Sequence, residues 1–172
     1  LVNDLVPDLP DDWKKKYAAI RNIGVVCLLF KLGKSVTPHF WLNIVDDTID
    51  IPGLIEFSNL RPVAETIVYV PYYMPVTQPK WNWTDKQFID EAFGYIKRVN
   101  PNITDADLCD ARVGRLRYAQ PICEPNFAAK LPPVETPIHG LQIADTCYYY
   151  PEDRGVAESI RFGRRMAGAG QR

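Results

Sequence analysis

One stretch of the chain concentrates groups able to hold an anionic ligand. Gly140-Leu141-Gln142-Ile143-Ala144-Asp145 is a short apolar run ending in an acid. Tyr148, Tyr149 and Tyr150 follow, and Pro151-Glu152-Asp153-Arg154-Gly155-Val156-Ala157 leads into a helical pattern. The pattern predicts a strand over 140–145 and a helix over 155–167, with Asp153 as its N-cap. Strand ends that face helix N-termini are where open α/β sheets bind anions. Free N–H groups at a helix start carry about half a positive charge, and Gly155 permits close backbone approach. Asp145 could accept hydrogen bonds from sugar hydroxyls. The same residues also have plainer readings. Asp145 could be a solvated strand end, Glu152 and Asp153 a capping region, and Gly163 and Ala167 small residues for close packing.

Other groups offer less. His39 and His139 are the only histidines, and Cys27, Cys109, Cys123 and Cys147 form no C-x-x-C pair, so no zinc spacing is present. The cysteines read as free thiols of a reducing, cytoplasmic compartment, with a Cys109–Cys123 disulfide as the alternative. Arg115 and Arg117 share one face of a predicted strand, where they could meet an anionic substrate or be solvated. Arg161, Arg164, Arg165 and Arg172 read as a solvated helix face. Trp41, Tyr69, Tyr72, Tyr73, Trp81, Trp83 and Tyr148 to Tyr150 could line a cavity. Alternation along strands favours core for Tyr69 and Trp41.

The elements that must position these groups follow from hydrophobic patterning. The chain has 172 residues, 47% hydrophobic and 24% charged, which fits a globular chain with a real core. Its net charge of -1 argues against nucleic-acid binding, which needs a basic surplus. No apolar run approaches the ~20 residues of a membrane span. Ile23–Leu32 reads as a strand buried on both faces. Phe40–Val45, Leu54–Phe57, Thr66–Tyr72 and Val113–Ala119 read as further strands, with Pro71 expected to end its strand or stand at an edge. Thr84 and Gln87 form a capping box ahead of a helix in which Phe88, Ala92 and Ile96 stack at i, i+4. Short connections between consecutive strands imply an antiparallel sheet.

The residues around Asp145 resemble the last flavin segment of the FAD-dependent amine oxidase, protoporphyrinogen oxidase and phytoene desaturase superfamily. That segment reads Gly-apolar-x-apolar-Ala-Gly-Asp/Glu, a loop, then Gly-x-x-x-Ala-x-x-Ser-Gly in a helix. The matching residues are Gly140, Leu141, Ile143, Ala144, Asp145, Gly155, Ser159 and Gly163. Phe40–Ile44, Gly53–Asn59, Val68–Tyr73, Tyr118–Pro121 and Tyr150–Gly155 look like a subgroup of oxidoreductases, some tied to polysaccharide biosynthesis. The pattern departs at Ala144, where the family has Gly, and at Phe162.

The resemblance implies an α+β fold: an antiparallel substrate-domain sheet with packed helices over 1–120, and a returning FAD-domain strand and helix over 121–172. It implies FAD as cofactor, with Asp145 near the ribityl or phosphate groups and the backbone of Arg154, Gly155, Val156 and Ala157 at the N1–C2 edge of the ring. Tyr69, Tyr73, Tyr149 and Arg117 are candidates for the substrate cavity. The G-x-G-x-x-G fingerprint is missing and no initiator Met is present. The expectation is therefore a C-terminal fragment, lacking an N-terminal Rossmann part and binding FAD weakly or not at all alone. The whole protein would oxidise a small molecule, with a sugar-related one among the candidates. The rivals are a mutase-like flavoenzyme on a nucleotide sugar and a non-catalytic carbohydrate-binding module.

Overall fold

A computed structural model describes residues 1–152 and 154–169. Asp153 and Arg172 lie outside them. The chain divides into two compact units, Ile23–Ala119 and a second made of Leu1–Asn22 with the chain from Gln120 onward.

The larger unit is α+β. Its strands are β1 (Asn22–Leu32), β2 (Trp41–Asn43), β3 (Gly53–Glu56), β4 (Thr66–Met74) and β5 (Leu108–Pro121), and they form one sheet in the order β2-β3-β4-β1-β5. β1 pairs antiparallel with β4 from Gly24↔Met74 to Leu32↔Thr66, and the β2–β3 and β3–β4 ladders are also antiparallel. On the other side of β1, the Gly33 amide donates to the Asp107 carbonyl at 2.8 Å, and Gly114 lies beside the Cys27 carbonyl. Rising numbers on β5 meet falling numbers on β1, so this pair is antiparallel too.

One face of the sheet makes the core. Val26, Leu28, Phe30 and Leu32 of β1 and Val68, Val70, Tyr72 and Met74 of β4 are buried there. They pack with Phe88, Ala92, Phe93 and Ile96 of a long helix, Asp85–Val99. The predicted capping box is present: the Gln87 amide donates to Thr84 Oγ1 and the Thr84 amide to Gln87 Oε1. A four-residue helical turn, Phe57–Leu60, follows β3.

Two expectations for the sheet need correction. The apolar run of β1 is not buried on both faces; it alternates strictly between buried and half-buried residues. The long helix packs on one side, so the unbroken hydrophobicity reflects a second face that is apolar but only partly covered. Pro71 neither ends β4 nor stands in an edge strand; it is buried and sits opposite Cys27. It is tolerated because the β3 ladder reaches only Val68 and Tyr69 of β4, leaving that side of Pro71 without a strand to serve.

The regular elements of the smaller unit are mainly helices. In chain order its helices are Val2–Leu5, Asp11–Ala19, Phe127–Lys130 and Val156–Ala169; numbering all helices along the chain makes these α1, α2, α5 and α6, with Phe57–Leu60 as α3 and Asp85–Val99 as α4. The Ile122 amide donates to the Arg21 carbonyl at 2.9 Å, and Glu124 pairs with both Arg21 and Lys130. Gly140–Asp145 is not a strand. It makes a single antiparallel bridge, Glu135↔Gln142, with Ile143 N–H on the Val134 carbonyl at 2.9 Å. A strand needs a neighbouring ladder, and among the described residues of this unit only the 134–136 segment offers one. All four cysteines are unbridged. Among the described residues no helix is long and apolar enough to cross a membrane.

Candidate functional site

In the smaller unit, α6 starts at Val156 with exposed first residues. The Ser159 amide donates to the Gly155 carbonyl at 3.0 Å, the first bond of the helix. The amides of Val156, Ala157 and Glu158 therefore have no acceptor within the helix. Gly155, Val156 and Ala157 are exposed, Val156 by 79%, and the position of a Cβ on Gly155 has open space around it. The Glu158 carboxylate turns along the helix to Arg161 at 2.9 Å. Gly163 also faces open space, so no close packing within the described chain requires a glycine there.

The tyrosine segment fixes this helix. The Phe162 ring lies 6.0 Å from Tyr148 and 5.7 Å from Tyr149. The Tyr149 hydroxyl donates to Ser159 Oγ at 3.0 Å, and Ser159 Oγ donates to the Gly155 carbonyl at 2.9 Å. Tyr149 is thus tied to the helix start, and it also borders a cleft of about 410 Å³ with Tyr150, Glu152, Glu158, Arg161 and Arg165. Asp145 is exposed; its Oδ1 accepts the Cys147 amide at 2.8 Å and caps a 3-10 turn over Thr146–Tyr149. Burial, reinforced by Asp145, holds the Cys147 thiol well above its ordinary pKa, so it stays protonated and is a poor nucleophile. The hydroxyls of Tyr17 and Tyr148 are buried neighbours, neither bonded with normal geometry, and burial is the main cause of their raised pKa values.

In the larger unit, Tyr69 and Tyr73 lie on the sheet face opposite α4. Tyr69 is half-buried under Phe57, edge to face at 6.2 Å, and Tyr73 is 46% exposed. Trp41, expected as core, is 56% exposed, because it pairs with Ile55 on that same uncovered face. Trp81 and Trp83 instead pack against the core. Arg115 points to the helix side, bonding Asp85 at 2.6 Å and the Trp83 carbonyl at 2.8 Å. Arg117 is exposed and, two residues on, shares that side by strand alternation rather than the face of Tyr69 and Tyr73.

Two buried groups carry more structure than the sequence suggested. Glu56 is 1% exposed, and its Oε2 accepts the amides of Val36 at 3.0 Å and Thr37 at 2.8 Å. Asn59 Nδ2 donates to the carbonyls of Thr37 at 2.7 Å and His39 at 3.1 Å. Together they bracket the loop that leads into β2 and Trp41. The run Gly53–Asn59 drew notice by resemblance, but nothing local reveals that its acid folds inward. Lys80 is the second. Its Nζ lies 2.6 Å from Asp50 and 2.6 Å from Glu91, over the rings of Tyr72 at 4.5 Å and Trp83 at 4.9 Å. The Glu91 contact is an ion pair without hydrogen-bond geometry. Burial pulls the Lys80 pKa down, yet the two carboxylates outweigh it and the net shift is upward.

No protein-family model matches the sequence, and no curated protein matches it. Solved structures do resemble it. A protein assigned as a protoporphyrinogen oxidase from Exiguobacterium sp. 255-15 matches 70% of this chain at 10% identity, with a TM-score of 0.52. A reduced UDP-galactopyranose mutase matches 70% at 14% identity and 0.52, and an oxidoreductase from Methanosarcina mazei 76% at 13% identity and 0.51. The likeness is one of fold. The chain spans only 27%, 27% and 30% of those proteins.

Proposed function

We propose that these residues are the carboxyl-terminal part of an FAD-dependent oxidoreductase, with the sheet as its substrate wall and α6 as a flavin-contacting element. The observation that carries this reading is the exposed first turn of α6, which follows Asp145 and the tyrosine segment, in a chain with the fold of an oxidase, an oxidoreductase and a mutase.

The residues present suit the group. Three amides without helical acceptors at an exposed helix start favour negative charge close by. Bound flavin supplies the acceptor for a hydride leaving a substrate C–H or N–H bond. The chain's part is to bind and orient. The amides of Val156 and Ala157 would face the anionic edge of the ring, and the Tyr149–Ser159–Gly155 relay would hold that end in place. Asp145 would accept from the ribityl side while capping its own turn. Tyr69 and Tyr73 would present aromatic surface to substrate, whereas Arg117, on the other side of its strand, would lie outside that wall. No residue here is assigned as a general base.

The mutase reading is compatible with the likeness to UDP-galactopyranose mutase, and it shares the flavin elements. A carbohydrate-binding module expects Trp41, Trp81 and Trp83 exposed together; Trp81 and Trp83 pack against the core, whereas Trp41 is 56% exposed. The test is the natural gene product containing these residues. Purified, it is expected to carry tightly bound flavin whose absorbance bleaches under anaerobic reduction. A colourless, flavin-free protein overturns the assignment.

A further inference from the structure

We infer that the sheet face bearing Tyr69 and Tyr73 takes an uncharged, apolar, planar substrate and not a sugar carrying a diphosphate. The inference rests on the reading of this sheet as a substrate wall and names the class of molecule it accepts.

The face is built in rows. Trp41 stands opposite Ile55, Ile55 opposite Tyr69, and Tyr69 opposite Leu29, so four strands contribute one line of aromatic and aliphatic side chains. Tyr73 opposite Val25 begins a second row. β5 extends it: Ala111 and Val113 pack on the core, so the alternate residues Leu116 and Tyr118 face the other way, 56% and 48% exposed. Solvent-exposed aromatic and aliphatic surface of this extent is uncommon unless something covers it.

The charges on this face decide what covers it. Diphosphates are recognised by basic side chains free to make bidentate or charge-assisted bonds. Among the described residues of this face, the basic groups are Lys31, opposite Ile67, and Arg112 by strand alternation. Lys31 is bonded to Glu65 at 2.6 Å and Arg112 pairs with Asp110 at 3.2 Å. Both stand at the margin, and each is matched by an acid. Arg115 is turned to the opposite side and held by Asp85. The centre of the face therefore offers stacking and apolar contact with no net charge, which complements a neutral flat molecule and leaves a diphosphate without a partner.

The test titrates the full chain with Nile red, a neutral planar dye, and with UDP-glucose. Expected are a saturable, blue-shifted dye emission and no displacement of dye by UDP-glucose. Tyr73→Lys and Leu116→Lys, both at exposed positions, are each expected to weaken dye binding by about tenfold or more with unchanged far-UV circular dichroism. Arg117→Glu, on the other side of β5, is expected to leave it unchanged. Displacement of dye by UDP-glucose overturns the inference, as does dye binding indifferent to both lysine substitutions. Sedimentation showing that the face closes on a second copy of the chain overturns it too. Flavin content of the natural gene product is read separately. UDP-glucose binding in a flavin-containing protein defeats this inference alone, whereas a flavin-free protein defeats the function proposed above.

Discussion

Replacing Glu56 tests whether one buried carboxyl organises the loop that leads into the edge strand β2. Its Oε2 accepts two successive backbone amides, Val36 and Thr37, in a region where Val36 is 6% and Thr37 7% exposed. Glu56→Ala orphans both donors, at about 1–3 kcal/mol each, for a total of about 2–6 kcal/mol. Stability of a domain is about 5–15 kcal/mol, so this is a large fraction. Glu56→Gln keeps an acceptor oxygen for the same amides and should cost about 1 kcal/mol, the difference between a charge-assisted and a neutral hydrogen bond. Urea unfolding followed by tryptophan fluorescence measures both. An alanine variant within about 1 kcal/mol of the parent refutes the bracket, and so does a glutamine variant as damaged as the alanine one.

Three further outcomes follow from the packing. Gly53→Ala places a methyl on the Leu42 carbonyl oxygen of the paired strand and should destabilise by about 1–3 kcal/mol, whereas Gly163→Ala enters open space in a helix and should stabilise by about 0.5–1 kcal/mol; paired urea melts check both. Lys80→Met leaves Glu91 half-buried without its cation and should cost about 3 kcal/mol, much of it recovered in Lys80→Met/Glu91→Leu, as a double-mutant cycle would show. The Asp107 carboxyl is held below its ordinary pKa by the Thr104 amide first, then the Thr104 hydroxyl and Lys34. Its folded value lies under the unfolded value of about 3.9, so its contribution is complete above that pH and is lost as pH falls through the folded value. Unfolding midpoints measured down through this range should fall, and Asp107→Asn should flatten that part of the slope.

The parts of the fold legible in the sequence are those fixed by local chemistry. The capping box at Thr84 and the i, i+4 stack of Phe88, Ala92 and Ile96 placed α4, and branched and aromatic runs placed the five strands. Facts set by distant partners were hidden. Whether the second face of β1 is covered depends on what packs there, and its composition is apolar in either case. Pro71 reads as a strand breaker until the short reach of the β3 ladder is known. Gly140–Asp145 has the composition of a strand, yet its only ladder partner is one bridge to Glu135. At the candidate site, the glycine and first residues of α6 were legible because helix-start chemistry is local. The inward turn of Glu56 and the enclosure of Lys80 were not, since burial of a charge is decided by the loops that close over it.

The most direct measurement compares flavin affinity in two variants of the natural gene product. Ala157→Glu puts a negative charge at the exposed start of α6, where it suits the helix dipole but opposes an anionic ring edge. Ala167→Glu puts the same charge near the other end. Titrating apoprotein with FAD is expected to show binding weakened several-fold or more by the first substitution and unchanged by the second. Equal affinities in the two variants, matching the parent, would contradict the placement of flavin at this helix.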